Sequence, residues 1–129
     1  MGALTDVRRS ANIVFMPQSE VVFYKEGADV LFDQWLNTLP VKVQAKCLSQ
    51  VSLLRSLGHE LRRPIADFLR DGIYELRPAY QGVHYRILYF FSGRNVVVIS
   101  HEVPDVEINR AMERKRKYEG NPKAHGWKE

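Results

Sequence analysis

The 129-residue chain is 45% apolar, enough for one ordinary hydrophobic core, and no run approaches the length of a membrane span. The N-terminus lacks a signal-type apolar segment and the single cysteine, Cys47, excludes an internal disulfide, so the sequence predicts a cytoplasmic protein in a reducing compartment. The net charge of +4 is unevenly placed: residues 1–54 hold five basic and five acidic side chains, residues 55–129 fourteen basic against ten acidic. That asymmetry points to an anionic partner for the second part of the chain, or else to nothing more than a soluble surface.

Residues 1–18 read as a loosely held extension around Pro17, with Met16 as an alternative start, and 19–129 as a single domain. Glu20 to Tyr24 is patterned as a short strand, followed by a turn at Lys25-Glu26-Gly27. From Ala28 to Asn37 the apolar residues Val30, Leu31, Trp35 and Leu36 recur at helical spacing, with Asp29 in the first turn where the helix dipole favours it. Pro40 suits the first turn of a second helix, whose stripe of Val43, Cys47, Leu48, Val51, Leu54 and Leu57 ends near Gly58. So short a separation predicts a helical hairpin.

A polar connection, His59 to Pro64, and then Ile65 to Arg70 lead into a predicted meander. Its strands are Asp71 to Arg77, Val83 to Phe91 and Val96 to His101, joined by two short Gly-containing connections. Pro104 opens a last helix running from Asp105 to about Tyr118, with basic residues crowding its end. Gly120-Asn121-Pro122 stops that helix, and Lys123–Glu129 reads as loose. The order β-α-α-β-β-β-α predicts an α+β fold with the helical hairpin on one face of an antiparallel sheet, the other face being concave and little covered.

Two of the meander strands carry an arginine where a core strand normally carries an apolar residue. A guanidinium there needs a partner, and phosphate is one of the few it fits bidentately. Alternation puts Val83, Tyr85, Ile87, Tyr89 and Phe91 on one face, to meet the hairpin, and His84, Arg86, Leu88 and Phe90 on the other. Ile73, Glu75 and Arg77 share a face of the preceding strand, so Glu75 and Arg77 fall beside Arg86. Two readings follow: a cross-strand Glu75–Arg86 ion pair, or an anion site. His101 ends the third strand as a lone acid–base candidate; Ser100 points to the opposite face and cannot pair with it. Arg62, Arg63 and Arg70 are candidate contacts to a nucleic-acid backbone, or simply solvated charges. Cys47 reads as a buried small hydrophobe and the aromatics Tyr85, Tyr89, Phe90 and Phe91 as core. The four histidines show no i, i+3 or i, i+4 pairing, so no metal site is predicted.

The runs Gly58 to Pro64, Leu69 to Arg77, Tyr85 to Phe91 and Glu107 to Ala111 carry a family likeness. The block from Leu57 to Tyr118 resembles the RelE/HigB superfamily of bacterial toxins, most closely its phage-derived Gp49-like branch, and with the first strand and the hairpin the resemblance covers about residues 20–120. It implies the toxin of a type II toxin–antitoxin pair: an endoribonuclease needing no metal or other cofactor, which cleaves mRNA, usually at the ribosome, and is neutralised by a helix-turn-helix antitoxin. In such enzymes the 2′-hydroxyl attacks the adjacent phosphate while basic side chains orient the RNA and stabilise the developing charge. On this resemblance Arg86 falls on the arginine that contacts the reacting phosphate and Arg77 on one that supports it. Relatives continue from the third strand into a lysine-rich loop. Here Ser100-His101 passes through Glu102-Val103 straight to Pro104, so the alternative is a catalytically impaired module of the same fold that acts by contacting a protein or the ribosome.

Overall fold

The computed structural model describes residues 19–93, 96–102 and 108–128. The extension 1–18 and the predicted first turn of the last helix lie outside the described residues. The chain begins with β1, Glu20–Glu26, in which Val21, Val22, Phe23 and Tyr24 are all buried. A strand of β-branched and aromatic residues hidden on both faces belongs inside a sheet with layers on either side. Gly27 turns the chain into β2, Asp29–Val30, which folds back on β1. The helix α1 therefore spans only Leu31–Leu36, shorter than the period alone suggests.

The long helix α2, Val41–Leu57, starts directly after Pro40. Its buried side is Val43, Cys47, Gln50, Val51 and Leu54, while Leu48 and Leu57, at the margins of the stripe, are exposed. It stops at Gly58, whose N–H bonds to the Leu54 carbonyl, whose positive φ turns the chain out of the helix, and where an added Cβ would run into the Ser19 hydroxyl. A 3₁₀ turn, Gly58–Glu60, leads out of the hairpin.

The segment read as a connection contains a strand, β3, Ala66–Arg70. It is an edge strand with Phe68 exposed, so its alternation is too weak to announce itself in sequence. The meander follows as β4, Ile73–Leu76, β7, Ile87–Ser92, and β8, Val96–Glu102. Between β4 and β7 stands a separate hairpin of β5, Ala79–Tyr80, and β6, Val83–His84. Gln81 and Gly82 both take positive φ in its turn, the signature of type I′. The strand expected over Val83–Phe91 is thus interrupted: the Tyr85 N–H bonds to the Pro78 carbonyl (2.8 Å), and Tyr85 and Arg86 lie between β6 and β7.

In the main sheet the order is β9-β1-β8-β7-β4-β3, where β9 is Gly126–Trp127, with β2 paired to β1. Three expectations need correction. The sheet is mixed rather than antiparallel, because β1 runs parallel to β8 (Glu20 opposite Val96, Phe23 opposite Ile99). The intervening hairpin and strands give the long connection that parallel pairing requires. The face opposite the hairpin is not open, for helix α3, Ile108–Gly120, packs Ala111 and Tyr118 against Val22, Tyr24, Ile73, Leu88, Phe90 and Val98. Nor is the tail loose: Asn121 caps α4, Pro122–His125, and β9 then pairs antiparallel with Phe23 and Tyr24.

The result is an α+β structure of three layers. The core between hairpin and sheet holds Phe32, Leu36, Val43, Cys47, Val51 and Leu54 against Val21, Phe23, Leu76, Ile87, Tyr89, Val97 and Ile99. Among the described residues no helix is long and apolar enough to cross a membrane.

Candidate functional site

Strand alternation in β4 sends Tyr74 and Leu76 into the hairpin-side core and leaves Ile73 and Glu75 on the α3 side. In register Glu75 lies between Asp67 of β3 and Leu88 of β7. Glu75 is therefore a carboxylate in the middle of a sheet, 3% exposed, and such a group needs compensation for its lost hydration. It is flanked by two arginines. Arg77 follows two residues on, and Arg86 comes in at the start of β7, which β4 neighbours.

Each carboxylate oxygen takes one guanidinium. Arg86 Nε donates to Glu75 Oε1 at 2.5 Å, and Arg77 Nη1 donates to Oε2 at 2.9 Å. The two arms keep 32% and 38% of their side-chain surface exposed. The cross-strand ion pair that the sequence allowed is present, but it does not exclude an anion site. The carboxylate holds both arms in place, so that little rotamer freedom is left to lose on binding. Both arginines line a cleft of about 290 Å³ together with Pro64, Ala79, His84 and Tyr85. Such a cleft has the chemistry to receive a phosphate-sized anion against pre-aligned N–H donors.

A second ion pair flanks the first. Arg63 donates through Nε (3.0 Å) and Nη2 (2.6 Å) to Asp67 Oδ2, directly across from Glu75. The Arg63 hydrogen bond, and more weakly the charge of Arg77, hold the Asp67 carboxyl below its usual range. Charges along this end of the sheet thus alternate, Arg63, Asp67, Arg77, Glu75, Arg86.

The other sequence candidates are placed differently. Arg62 donates to the backbone carbonyls of His59 and Leu61 (3.2 Å to the latter), bracing the 3₁₀ turn. Arg70 binds Asp71 (2.9 Å) and Asn109 Oδ1 (2.9 Å) and touches Met112 Sδ, tying the far end of β3 to α3. Ala66 sits opposite Leu76 near the arginine pair, so Arg70, four residues further along β3, stands roughly 13 Å away along the strand. The structure does not bring Arg70 to the cleft. The His101 backbone lies opposite Leu88, in the row that continues to Glu75; its side chain lies outside the described residues. His84, which the sequence places only as a flank of Arg86, lines the cleft. The alternation that put both on one face was the available signal, although the chain breaks strand geometry between them.

Two further readings are modified. The α3 basic run is more than a helix-end charge cluster: Arg114 reaches the buried Ser100 hydroxyl (3.3 Å) and lies over the Tyr24 ring, and Lys117 binds Glu26 (3.0 Å). Of the four aromatics expected in the core, Tyr89 and Phe90 are buried there, while Tyr85 and Phe91 are only partly buried against it.

The family model described as Phage derived protein Gp49-like (DUF891) matches residues 34–116, a stretch that contains Glu75, both cleft arginines and the Arg63–Asp67 pair. No curated protein matches the chain.

Proposed function

Since the chain belongs to the phage-derived Gp49-like family, a family commonly linked to the toxins of toxin–antitoxin pairs, we propose that it is such a toxin and acts as an endoribonuclease on mRNA at the ribosome, in the manner of the RelE/HigB toxins it resembles. The observation that carries this reading is the pair of arginines held on one buried carboxylate at the mouth of a cleft. Cleavage would proceed by attack of a 2′-hydroxyl on the adjacent phosphorus, with loss of the 5′-oxygen and formation of a cyclic 2′,3′-phosphate. The hydroxyl proton leaves as the O–P bond forms, and the departing 5′-oxygen takes one up. Arg86 binds the reacting phosphate and meets the charge that grows on its oxygens, Arg77 supports it, and His101 is the candidate for proton transfer. No metal enters this scheme. Arg62 and Arg63 are assigned to the RNA backbone, and so is Arg70, at the far end of β3, as a more distant contact. A helix-turn-helix antitoxin is the proposed neutralising partner.

Induced expression with mapping of RNA cleavage tests this. Wild type should arrest growth and cut mRNA, Arg86→Ala should cut at least about a hundredfold more slowly, and Arg86→Lys should recover part of the loss. Growth arrest with intact RNA would overturn the nuclease reading. It would support a second one, favoured by the absence of lysines between His101 and Pro104: an impaired module of this fold that works by contacting a protein or the ribosome.

A further inference from the structure

Phe68 is an anomaly in the fold. It stands on the edge strand β3 with 53% of its surface exposed, although a phenyl ring gains most from burial. It is the outer member of a row of rings. Phe68 meets Tyr74 edge-on at 5.1 Å, Tyr74 meets Phe91 edge-on at 5.3 Å, and His59 stacks on Phe91 at 3.6 Å. In front of this row lies a cleft of about 420 Å³, lined by His59, Arg62, Arg63, Asp67, Phe68 and Tyr74 among others. That volume is in the range of small-ligand sites.

We propose that this cleft is a stacking subsite for one nucleobase of single-stranded RNA, with Phe68 as its platform, beside the phosphate subsite at Arg77 and Arg86. The inference deepens the RNA reading above and rests on it. Three observations carry it. The rim holds two arginines and one carboxylate, so it attracts an anionic polymer rather than an apolar or acidic-residue-poor peptide. The Phe68 ring lines the cleft half exposed and packs edge-type on Tyr74, and a base stacks on an aromatic ring whatever its identity. The two clefts adjoin: Arg63 and Asp67 line this one, the next residue Pro64 lines the other, and Asp67 is the register partner of Glu75. A strand crossing the sheet edge at Arg63-Pro64 thus sets a base on one side and a phosphate on the other. Asp67 is held for this arrangement by Arg63 and by the Phe68 N–H, which donates to Oδ1 (3.0 Å).

The test is fluorescence anisotropy with a labelled single-stranded RNA oligonucleotide and the same oligonucleotide carrying abasic positions. Phe68→Ala should weaken binding of the intact RNA roughly five- to a hundredfold, and Phe68→Trp should retain it. Abasic substitution should cost wild type affinity but cost Phe68→Ala little more. Arg86→Ala should weaken both oligonucleotides alike. Unchanged affinity in Phe68→Ala, or equal abasic losses in both proteins, overturns the stacking subsite and leaves RNA binding standing. Failure of wild type to bind RNA overturns both. Should Phe68→Ala fail to fold, RNA-dependent quenching of the Phe68→Trp indole beyond that of Trp35 and Trp127 decides the question, and no added quenching sinks the proposal.

Discussion

Glu75 is the residue on which the cleft depends. Its two oxygens orient two guanidiniums, and its burial makes it intolerant of losing either the charge or the shape. Breaking a fully buried ion pair by removing one member costs about 3–5 kcal/mol. Here both arginines keep a third of their surface in water, so part of their hydration can be recovered. Glu75→Ala is therefore expected to lower stability by about 2 kcal/mol, read as a shift of the urea midpoint at unchanged slope. Glu75→Gln keeps the shape and should cost less. A variant as stable as wild type would show that the carboxylate is not holding the arms.

At the scale of elements, α2 is the hairpin helix that carries the core stripe, and Cys47 sits at its centre with no exposed surface. Burial pushes its thiol up to about 11, so almost no thiolate exists at pH 8, and the sulfur is also out of reach of reagents. Native protein should resist alkylation by iodoacetamide at that pH, while urea-unfolded protein reacts readily. Fast native labelling would mean that α2 opens far more often than a helix so packed should. The edge strand β3 shows the opposite economy. Along a single face Ala66 enters the core while Phe68, two residues on, is exposed, and the strand ends in an arginine tied to α3.

Across the whole molecule, the two ends of the described chain are fastened together on β1. Glu26 accepts from the Tyr24 hydroxyl (2.6 Å) and from Lys117 (3.0 Å), His125 lies parallel to the Tyr24 ring at 5.4 Å, and β9 adds a strand to the same edge. The Tyr24 hydrogen bond and then the Lys117 one hold the Glu26 carboxyl below its ordinary value of 4.5. A carboxyl with a depressed folded-state pKa binds its proton less readily folded than unfolded. Its contribution is present above the unfolded value and is lost as pH falls through the folded one. Glu26→Gln should accordingly flatten the loss of stability on acidification below about pH 4.5, measured by thermal melting across pH. An unchanged acid profile would assign that loss to other carboxyls.

Much of this protein is written locally. The stripe on α2, the apolar strands of the meander and the shared face of Ile73 and Glu75 follow from periods of 3.6 and 2, which any short window contains. So does the choice of Arg77 and Arg86 as the cations to watch, with Glu75 as their rival claimant. Local pattern is therefore enough to say which residues share a face within an unbroken strand or helix. It takes the assembled fold to give Glu75 both arginines at once, since that needs the β4–β7 register and the break at Tyr85 and Arg86. The assembled fold likewise decides the parallel pairing of β1 with β8, the covering of the second face by α3 and the return of the tail as β9. These are contacts between segments tens of residues apart, whose free energy comes from burial and pairing partners that no local pattern names.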